Sequence, residues 1–501
     1  MATGTLDPAY IHHFTDHIED RLYNFLGDMG SGYMSPSAYD TAWIARLGSL
    51  APDLSLAALD WLRSQQLEDG SWGTPELVYH HERLICTLSA TNVLAMYGSD
   101  EDRDSIARGR ATLKRWIDGL PDDGAGATIG FELIIPTLLE EAEALGVLPR
   151  NLDSLLYEMA ARRTIKLASL PEGMVNRNVT VAFSSEMFGT EAVALLDKEN
   201  LQEDNGSVAY SPAATAYFAL YVDPGNLAAL DYLRRVVSDG SAPNNTPIDV
   251  FEAGWGLWNL ALAVDLDDRL IPLCQPHLEL LSKSWNPDYG VGACSGFSLV
   301  DGDDTGIVYE MLMRFGWDAD LDAVLRYETD THFRCFPLES DPSISTNIHI
   351  LGALRAAGMD DNHPSVRKVI DFLRQTRSEE RYWFDKWHAS PYYPTAHGII
   401  NCATYDPAMA ADAVEWILEN QNRDGSWGFF MPTAEETAYC IQALMFWQRL
   451  GYTVALESIE RAQGWLRDHI DPPYPKLWIG KSLYCPEQVV YGTILSALMM
   501  V

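Results

Sequence analysis

Apolar residues along the chain recur mainly with the spacing of an α-helix. In residues 56–66, 366–374 and 413–418 they fall three and four positions apart, which places them on one helical face. Alternating runs typical of half-buried strands are scarce, and Gly, Pro and Asp-Gly pairs interrupt the helical pattern. The pattern predicts an all-α protein built from helices of about 10–15 residues.

Two segments share a longer pattern. WLRSQQLEDGSWG (residues 61–73) and WILENQNRDGSWG (residues 416–428) both read W-[IL]-x3-Q-x2-DGSWG. A helix ending in Gln, an Asp-Gly turn and a Trp that packs back form a hairpin unit, and such units stack or close into toroids. One copy near each end predicts two helical barrels, with these Gln and Trp residues as structural staples. The Gly- and Asn-rich stretch 238–247 is the best candidate linker.

Composition narrows the functional classes. The chain has 501 residues, of which 47% are hydrophobic, so it can bury sizeable cores. Its 35 Lys and Arg face 71 Asp and Glu, and the net charge of −36 disfavours nucleic acid and anionic membranes as partners. No apolar stretch is long enough to span a membrane. The N-terminus resembles no signal peptide and the 7 Cys form no CxxC pair, so we expect a cytoplasmic protein.

The sequence Asp301-Gly302-Asp303-Asp304 places three carboxylates within four positions, and the nearest basic residue is Arg314. At about 4 Å and an effective dielectric constant of about 20, each pair of like charges costs about 4 kcal/mol. A helix that begins at Thr305 would favour the anions by only about 0.3–1 kcal/mol at an exposed end. We therefore expect one carboxyl to keep its proton at neutral pH, as a general acid does, and a solvated turn is the alternative.

A second D-x-D-D pattern, at residues 265–268, is followed by Arg269, which can neutralise it. We interpret it as an inert, exposed loop at a helix end. The chain contains neither a DDxxD pattern nor an Asn-Asp partner motif, which weakens the interpretation of the carboxylates as a metal cluster.

Aromatic and basic residues supply further candidates, each with packing or solvation as its ordinary alternative. Aromatic faces that could line a cavity and stabilise a carbocation belong to Trp255, Trp258, Tyr309 and Trp387. Basic side chains that could bind a diphosphate, together with Mg²⁺, belong to Arg162, Arg163, Lys166, Lys386, Lys476 and Lys481. His349 is a lone histidine on an apolar helical face, where it could hydrogen-bond a buried acid.

In combination these segments resemble the class II diterpene cyclases, which start cyclisation by protonation and share ancestry with the squalene–hopene cyclases. The matching segments run through almost the whole chain. They are SAYDTAW at Ser37, DGSWG at Asp69, IGFELIIPTLL at Ile129, NGSVAYSPAATAYF at Asn205, APNNTPIDVFE at Ala242, DGDDT at Asp301, DKW at Asp385 and WIGKSLYCP at Trp478. One D-x-D-D is weak evidence, whereas this ordered set is highly specific.

The resemblance implies a fold and a reaction. The fold consists of two α-barrels, β and γ, with the γ barrel inserted after the first helix of the β barrel. We therefore assign residues 1–30 and 240–501 to the β domain and residues 31–239 to the γ domain. The implied reaction is an isomerisation of geranylgeranyl diphosphate to a bicyclic labdane, halimadane or clerodane-type diphosphate. Mg²⁺ and a downstream class I synthase or phosphatase are also implied, and a homodimer stays open.

The resemblance also implies residue roles. Asp303 would donate the proton, Asp301 and Asp304 would support it, and His349 would hydrogen-bond it. The other implied roles are Asn244 for the water that removes the final proton, Lys386 and Lys481 for the diphosphate, and Glu132 for Mg²⁺. Lys166, from the basic cluster, is a further candidate for the diphosphate. Two departures from the family pattern bear on the product: Gly302 is smaller than usual, and the segment at 167–173 lacks the family's histidine. A rearranged halimadane or clerodane skeleton is therefore plausible, and no residue identifies the base.

Three other functions remain open from the sequence. A triterpene-type cyclase acting on squalene would need a longer chain and more DGSWG repeats. An αα-toroid glycoside hydrolase would need paired, exposed acids in an open groove lined by aromatic residues. A non-enzymatic helical-repeat scaffold would leave Asp303 fully exposed.

Overall fold

A computed structural model describes residues 18, 20–117, 120–121, 123–149, 155–168, 171–190, 192–263, 270–337, 339 and 341–500. Several sequence predictions fall outside these residues. They concern residues 1–17 and 19 of the first predicted segment, the second D-x-D-D pattern at 265–268 and the side chains of Arg162 and Lys166, whose helix backbone is described.

Most of the C-terminal half forms a closed double layer of helices. The inner helices are Asp249–Ala263, Gly302–Arg314, Ile344–Ala356, Tyr392–Cys402, Ala434–Arg449 and Glu487–Met499. Each packs on the next, and the last packs on the first, so that the ring closes. The outer helices are Ile271–Ser284, Leu321–Leu325, Pro364–Thr376, Pro407–Glu419 and Leu456–Arg467. The prediction of an all-α barrel is confirmed for this half.

Residues 38–236 form a second, smaller ring. Its inner members are Ala38–Ala45, His80–Tyr97, Phe131–Ala144, the 3₁₀ segment Thr180–Phe188 and Pro212–Tyr217, and the last packs on the first. Its outer helices are Pro52–Ser64, Arg103–Ile117, Leu155–Ala168 and Leu227–Val236. Short 3₁₀ turns (Gly48–Leu50, Asp100–Asp102, Val193–Leu195, Lys198–Asn200) and the π segment Phe218–Val222 complete it. The molecule is therefore a pair of α-barrels, as predicted.

The two layers differ in how their sequences encode burial. In the inner helix Asp249–Ala263 every residue after Asp249 is buried, so its apolar residues surround the whole helix. The outer helix Pro364–Thr376 buries only the face that carries residues such as Val366 and Val369, and its charged residues face solvent. Helical periodicity therefore marks the outer layer, since only a half-buried helix needs one polar face.

Two short antiparallel ladders lie near the junction of the rings. Pro36–Ser37 pairs with Ala242–Pro243, where the chain enters and leaves the smaller ring. Trp478–Ile479 pairs with Leu483–Tyr484 in the loop before the last helix. Residues 20–28 are helical and pack with the C-terminal ring.

Hydrophobic packing follows the two rings. One core gathers buried residues from 18–34 and 248–500, together with Tyr210, and the other gathers residues from 38–242. The residue-level domain boundaries remain a prediction, because packing alone does not define where a domain ends. No helix in the described ranges is long and apolar enough to cross a bilayer.

The DGSWG tryptophans hold neighbouring helices together. Trp72, Trp383 and Trp427 each donate the indole N–H to the backbone carbonyl ten residues earlier, at 2.7, 2.9 and 2.8 Å. The predicted staple role is confirmed for Trp72 and Trp427. Trp383 makes the same bond without the DGSWG letters, so the structural unit occurs more often than its sequence signature.

Candidate active site

A cavity of about 770 Å³ lies where the two rings meet. Its aromatic wall comprises Phe131, Phe183, Phe251, Trp255, Phe297, Phe336, Trp387, Tyr393, Trp478 and Tyr484. Its charged wall comprises Glu132, Asp301, Asp303, Asp304, Glu339, Asp341 and Lys386. A volume of this size suits a small organic ligand, and the aromatic faces suit a positive charge that develops within it.

Asp301 caps the inner helix that carries the acid cluster. Its backbone is extended, and its Oδ1 accepts the backbone N–H groups of Asp303 at 3.0 Å and Asp304 at 2.8 Å. The helix therefore begins at Gly302, and the prediction that it begins at Thr305 is wrong. The capping residue supplies an acceptor to otherwise unpaired N–H groups, which favours this earlier start.

Gly302 matches a close approach of two chain segments. A Cβ at this position would lie 2.5 Å from the carbonyl oxygen of Arg334 and 3.1 Å from the ring of Tyr327. The Gly302 N–H also donates to the carbonyl of Cys335 at 2.9 Å. A bulkier residue would push this segment away from the acid cluster.

Burial shifts two of the three carboxyls toward the protonated form. Burial raises the pKa of Asp301 to about 7, although hydrogen bonds to the carboxylate oppose the shift. Burial raises the pKa of Asp304 well above its ordinary value, and the charge of Asp301 adds to the effect. Asp304 Oδ1 is buried and has no hydrogen-bond partner among the described residues, which agrees with an uncharged carboxyl.

Asp303 has a different environment from its two neighbours. Its side chain keeps 13% exposure on the cavity wall, and its Oδ1 lies 2.5 Å from His349 Nδ1. Its Oδ2 lies 3.3 Å from Ser345 Oγ. The predicted acid and its predicted histidine partner are therefore in direct contact.

The helix that presents His349 is held by an aspartate from another segment. Asp385 Oδ1 accepts the backbone N–H groups of Ile344 at 2.7 Å and Ser345 at 3.1 Å, and its Oδ2 lies 2.9 Å from Ser345 Oγ. Asp385 thus satisfies the start of the helix Ile344–Ala356 and orients the hydroxyl that contacts Asp303.

The predicted aromatic residues divide into two groups. Trp255 and Trp387 line the cavity, whereas Trp258 and Tyr309 are not among the described residues that line it. Trp258 lies 4.6 Å from the ring of His397, and Tyr309 packs in the core near Trp285.

Asn244 lies on the cavity wall, and its amide is already partly engaged. Its Nδ2 donates to Ser482 Oγ at 2.9 Å, and its Oδ1 accepts the Ser482 N–H at 3.1 Å. An amide has two N–H donors and two acceptor lone pairs, so one of each remains for a water molecule.

Lys386 also lies on the cavity wall. Its Nζ donates to Glu339 Oε1 and to the carbonyl oxygen of Asp341, and it lies 5.1 Å from the ring of Trp387. An incoming diphosphate would therefore compete with Glu339 for this ammonium group.

The structure places Lys481 differently from the prediction. Its Nζ donates to Glu186 Oε1 at 2.6 Å and to Ser211 Oγ at 2.8 Å, and both charged side chains are 0% exposed. Lys481 is not among the described residues that line the cavity. Its positive charge is compensated by Glu186 inside the protein, so a contact with the diphosphate would require this pair to separate.

Glu132 lies on the cavity wall, as its predicted role requires. Among the described residues, no group of three or more His, Cys, Asp or Glu side chains is arranged to hold a metal ion. Mg²⁺ is commonly held by one or two carboxylates and by the phosphates of its substrate. One carboxylate on the wall therefore fits Mg²⁺ that arrives with a diphosphate.

Three contacts were missed by sequence reasoning. They are the contact of Ser345 with Asp303, the capping of the helix Ile344–Ala356 by Asp385, and the contact of His397 Nδ1 with His349 Nε2 at 2.8 Å. Ser345 precedes His349 by one helical turn, which is a local signal that could have been used. Nothing in the local pattern around His397 indicates its contact with His349, 48 residues away.

Comparisons with known proteins identify the family of this chain. The family model of the squalene-hopene cyclase C-terminal domain matches residues 316–445. A type B diterpene cyclase from Mycobacterium tuberculosis is 45% identical over 485 residues, covering 94% of this chain and 97% of the relative. An ent-copalyl diphosphate synthase from a Streptomyces species is 33% identical over 504 residues, covering 93% of this chain and 92% of the relative.

The solved structure of ent-copalyl diphosphate synthase from Streptomyces platensis has a TM-score of 0.79 and 30% identity, covering 97% of this chain and 99% of that one. The pair of α-barrels and these relatives identify the class as that of the class II terpene cyclases. Within that class, the chain belongs to the class II diterpene cyclase family.

Proposed function

We propose that this enzyme cyclises geranylgeranyl diphosphate to a bicyclic diterpenyl diphosphate, with Asp303 as the proton donor. The observation that carries the proposal is the position of Asp303 on the wall of a cavity that aromatic rings also line, in contact with His349. Two neighbouring carboxyls whose pKa values are raised by burial keep negative charge low around the acid.

The reaction begins when Asp303 transfers its proton to the terminal alkene of the substrate. A C–H bond forms, a tertiary carbocation remains, and two internal alkenes attack in turn to form two C–C bonds. A base then removes one proton, and the C–O bond to the diphosphate stays intact. Desolvated aromatic faces such as Trp255 and Tyr393 stabilise the cation by about 2 kcal/mol or more per contact.

After proton transfer Asp303 is a carboxylate. A hydrogen bond from His349 stabilises this anion, which makes the transfer more favourable. The single proton of the Ser345 hydroxyl is shared between Asp385 Oδ2 at 2.9 Å and Asp303 Oδ2 at 3.3 Å. Asp303 must regain a proton before the next turnover.

Glu132 and the diphosphate oxygens would hold Mg²⁺, whose chemistry is to neutralise the phosphate charge. Lys386 would contribute a second positive charge by exchanging Glu339 for a phosphate oxygen. The role of Lys166 as a further diphosphate ligand is proposed from the sequence alone.

The alternative functions receive less support. A scaffold requires a fully exposed Asp303, and its side chain is 13% exposed. A glycoside hydrolase requires solvated acids in an open groove, whereas two of these three carboxyls are buried beside aromatic rings. A squalene cyclase is disfavoured by the relatives, which are diterpene cyclases over nearly the whole chain.

Incubation with geranylgeranyl diphosphate and Mg²⁺, followed by dephosphorylation and mass spectrometry, tests the proposal. A bicyclic diterpene alcohol is expected, and linear geranylgeraniol alone would contradict it. Asp267→Asn, in the second D-x-D-D pattern, is the matched control for Asp303→Asn and is expected to leave the product unchanged.

The ring skeleton is a separate proposal. We favour a rearranged halimadane or clerodane product, because the segment at 167–173 lacks the histidine expected of a simple labdadienyl cyclase. Asn244 would hold the water that removes the final proton, through its remaining N–H and lone pair. The retained diphosphate would then suit an enzyme that ionises or hydrolyses it.

A further inference from the structure

A second imidazole extends the hydrogen-bonded chain behind the acid. His349 Nδ1 lies 2.5 Å from Asp303 Oδ1, and His349 Nε2 lies 2.8 Å from His397 Nδ1. His397 is buried and is not among the described residues that line the cavity. It therefore does not contact the substrate directly, and its hydrogen bond toward the acid runs through His349.

His397 is held in its neutral form. Burial lowers the pKa of His397 well below its ordinary value, and the imidazoles of His349 and His388 oppose its charging further. A neutral imidazole carries one N–H, on either Nδ1 or Nε2. The position of this single proton decides the direction of the bond to His349.

The surroundings of His397 favour the proton on Nδ1. Its Nε2 is buried and has no hydrogen-bond partner among the described residues. A buried N–H without an acceptor costs about 1–3 kcal/mol, and such orphaned donors are rarer in proteins than under-satisfied acceptors. With the proton on Nδ1, His397 donates to His349 and leaves only a lone pair unpaired.

The direction of the hydrogen bond between His397 and His349 determines which nitrogen of His349 carries the proton. If His349 Nε2 accepts, a neutral His349 must carry its own proton on Nδ1, and it donates that proton to Asp303 Oδ1. In the opposite arrangement, His349 Nδ1 would present a lone pair to Asp303 and could draw the acid's proton away from the substrate.

We propose that His397 is a positioning residue that holds His349 as its Nδ1–H tautomer. Asp303 Oδ1 is then fixed as an acceptor, and the transferable proton resides on Oδ2. The rings of Trp258, Tyr393 and Tyr439, at 4.6, 4.5 and 5.3 Å from His397, keep its orientation fixed. The inference rests on the proposed protonation by Asp303.

His397→Phe tests this role by removing both ring nitrogens while keeping an aromatic ring. We expect kcat for cyclisation of geranylgeranyl diphosphate to fall about 10- to 100-fold, by analogy with the loss seen when a metal-bound histidine loses its hydrogen-bonded partner. KM should stay within about twofold, since His397 does not line the cavity. His277→Phe is a matched control, because it removes a buried imidazole that bonds to Leu26 and not to the acid chain.

A double-mutant cycle separates this role from simple packing. Asn at position 349 is too short to bridge to His397, so His397→Phe should have little further effect on kcat in the His349→Asn background. An equal loss of kcat in both backgrounds would overturn the proposal. If the wild-type enzyme cyclises the substrate, an unchanged kcat in His397→Phe would also overturn the proposal. An inactive wild-type enzyme would instead refute the proposed function.

The tautomer can be read in the wild-type protein, which removes any dependence on how the variant folds. In ¹⁵N NMR spectra of histidine-labelled enzyme, His349 should show a protonated Nδ1 and an unprotonated Nε2. Spectra of His349→Asn and His397→Gln supply the assignments. A protonated Nε2 on a neutral His349 would reverse the bond and overturn the inference.

Discussion

The protein buries acidic side chains in two places, and each place compensates them differently. In the smaller ring, Asp40 and Glu186 are buried near Lys481, whose Nζ lies 2.6 Å from Glu186 Oε1. In the larger ring, the cluster that includes Asp303 has His349 as a hydrogen-bond partner. The first group contains the ammonium group of Lys481, and the second contains the imidazole of His349, which can be neutral.

The difference shows that burial alone does not make a proton donor. Burial raises the pKa of Asp40 to about 7 even though Lys481 opposes the shift, and it raises the pKa of Asp301 to about 7 as well. Only the second group lines the cavity, where Asp303 can reach a substrate. The Asp303 cluster differs from the Asp40–Glu186–Lys481 group in two ways. It lines the cavity, and none of the described ion pairs joins it to a Lys or Arg. These two properties distinguish an acid catalyst from a structural ion pair.

The largest effect should come from Asp303→Asn, which tests whether the larger ring's cluster is the catalytic one. We expect kcat to fall at least about 10³-fold, because the amide has no transferable proton of comparable acidity. Product formation under single-turnover conditions measures the loss. The thermal midpoint should change little, since Asn is nearly isosteric and can still contact His349 and Ser345.

Activity within about tenfold of wild type in Asp303→Asn would remove Asp303 from its role. Asp40→Asn is the matched control in the smaller ring and should retain kcat. Comparable losses of kcat in both variants would erase the distinction between the two groups.

Lys481→Met should have the opposite effect to Asp303→Asn: it should lower stability and leave kcat nearly unchanged. Removing the cation leaves Glu186 buried without its partner, which costs about 3–5 kcal/mol of folding free energy. Chemical denaturation measures the loss, and kcat measured well below the melting temperature should stay near the wild-type value.

Lys481→Met combined with Glu186→Gln should recover part of that stability, because the uncompensated charge is removed as well. An increase in KM of about tenfold or more for the diphosphate substrate, with stability unchanged, would instead restore the predicted role of Lys481 in diphosphate binding.

The smallest effect concerns the pH dependence of stability in the larger ring. Below pH 3.8 Asp301 is protonated in both the folded and the unfolded chain; between 3.8 and about 7 only the folded chain keeps the proton. The folded state therefore binds more protons, and the contribution of Asp301 to stability falls as pH rises through this window. Asp301→Asn removes this penalty and keeps an oxygen that caps the helix.

Thermal midpoints of wild type and Asp301→Asn from about pH 4 to about pH 8 test this expectation. The variant should gain a few degrees relative to wild type toward the alkaline end. A constant difference across the range would mean that the carboxyl ionises alike in the folded and unfolded chains.

Much of the fold was predictable because local patterns encode it. The three periodic segments at 56–66, 366–374 and 413–418 all belong to outer helices, whose polar faces create the period. Inner helices such as Asp249–Ala263 lack that period because they are buried on all sides. The DGSWG pattern indicated barrels, although Trp383 shows that the unit also forms without those letters.

The site was predictable in its chemistry and less so in its contacts. Asp303 and His349 were expected to meet, and they lie in contact. The predicted helix start was wrong, because the side chain of Asp301 caps the helix and brings Asp303 and Asp304 into its first turn. The prediction for Lys481 treated a basic side chain as available, whereas burial with Glu186 withdraws it from the cavity.

The linear order of residues is enough to predict the all-α class and the family, and it singles out Asp303 as the candidate acid, because periodicity and motif order are properties of neighbouring positions. Which charges compensate each other depends on the folded chain. Glu186 and Lys481 are 295 positions apart, and His349 and His397 are 48 apart. The state of an ionisable group depends on its solvent and its nearest charges, and the fold brings both together from distant parts of the chain.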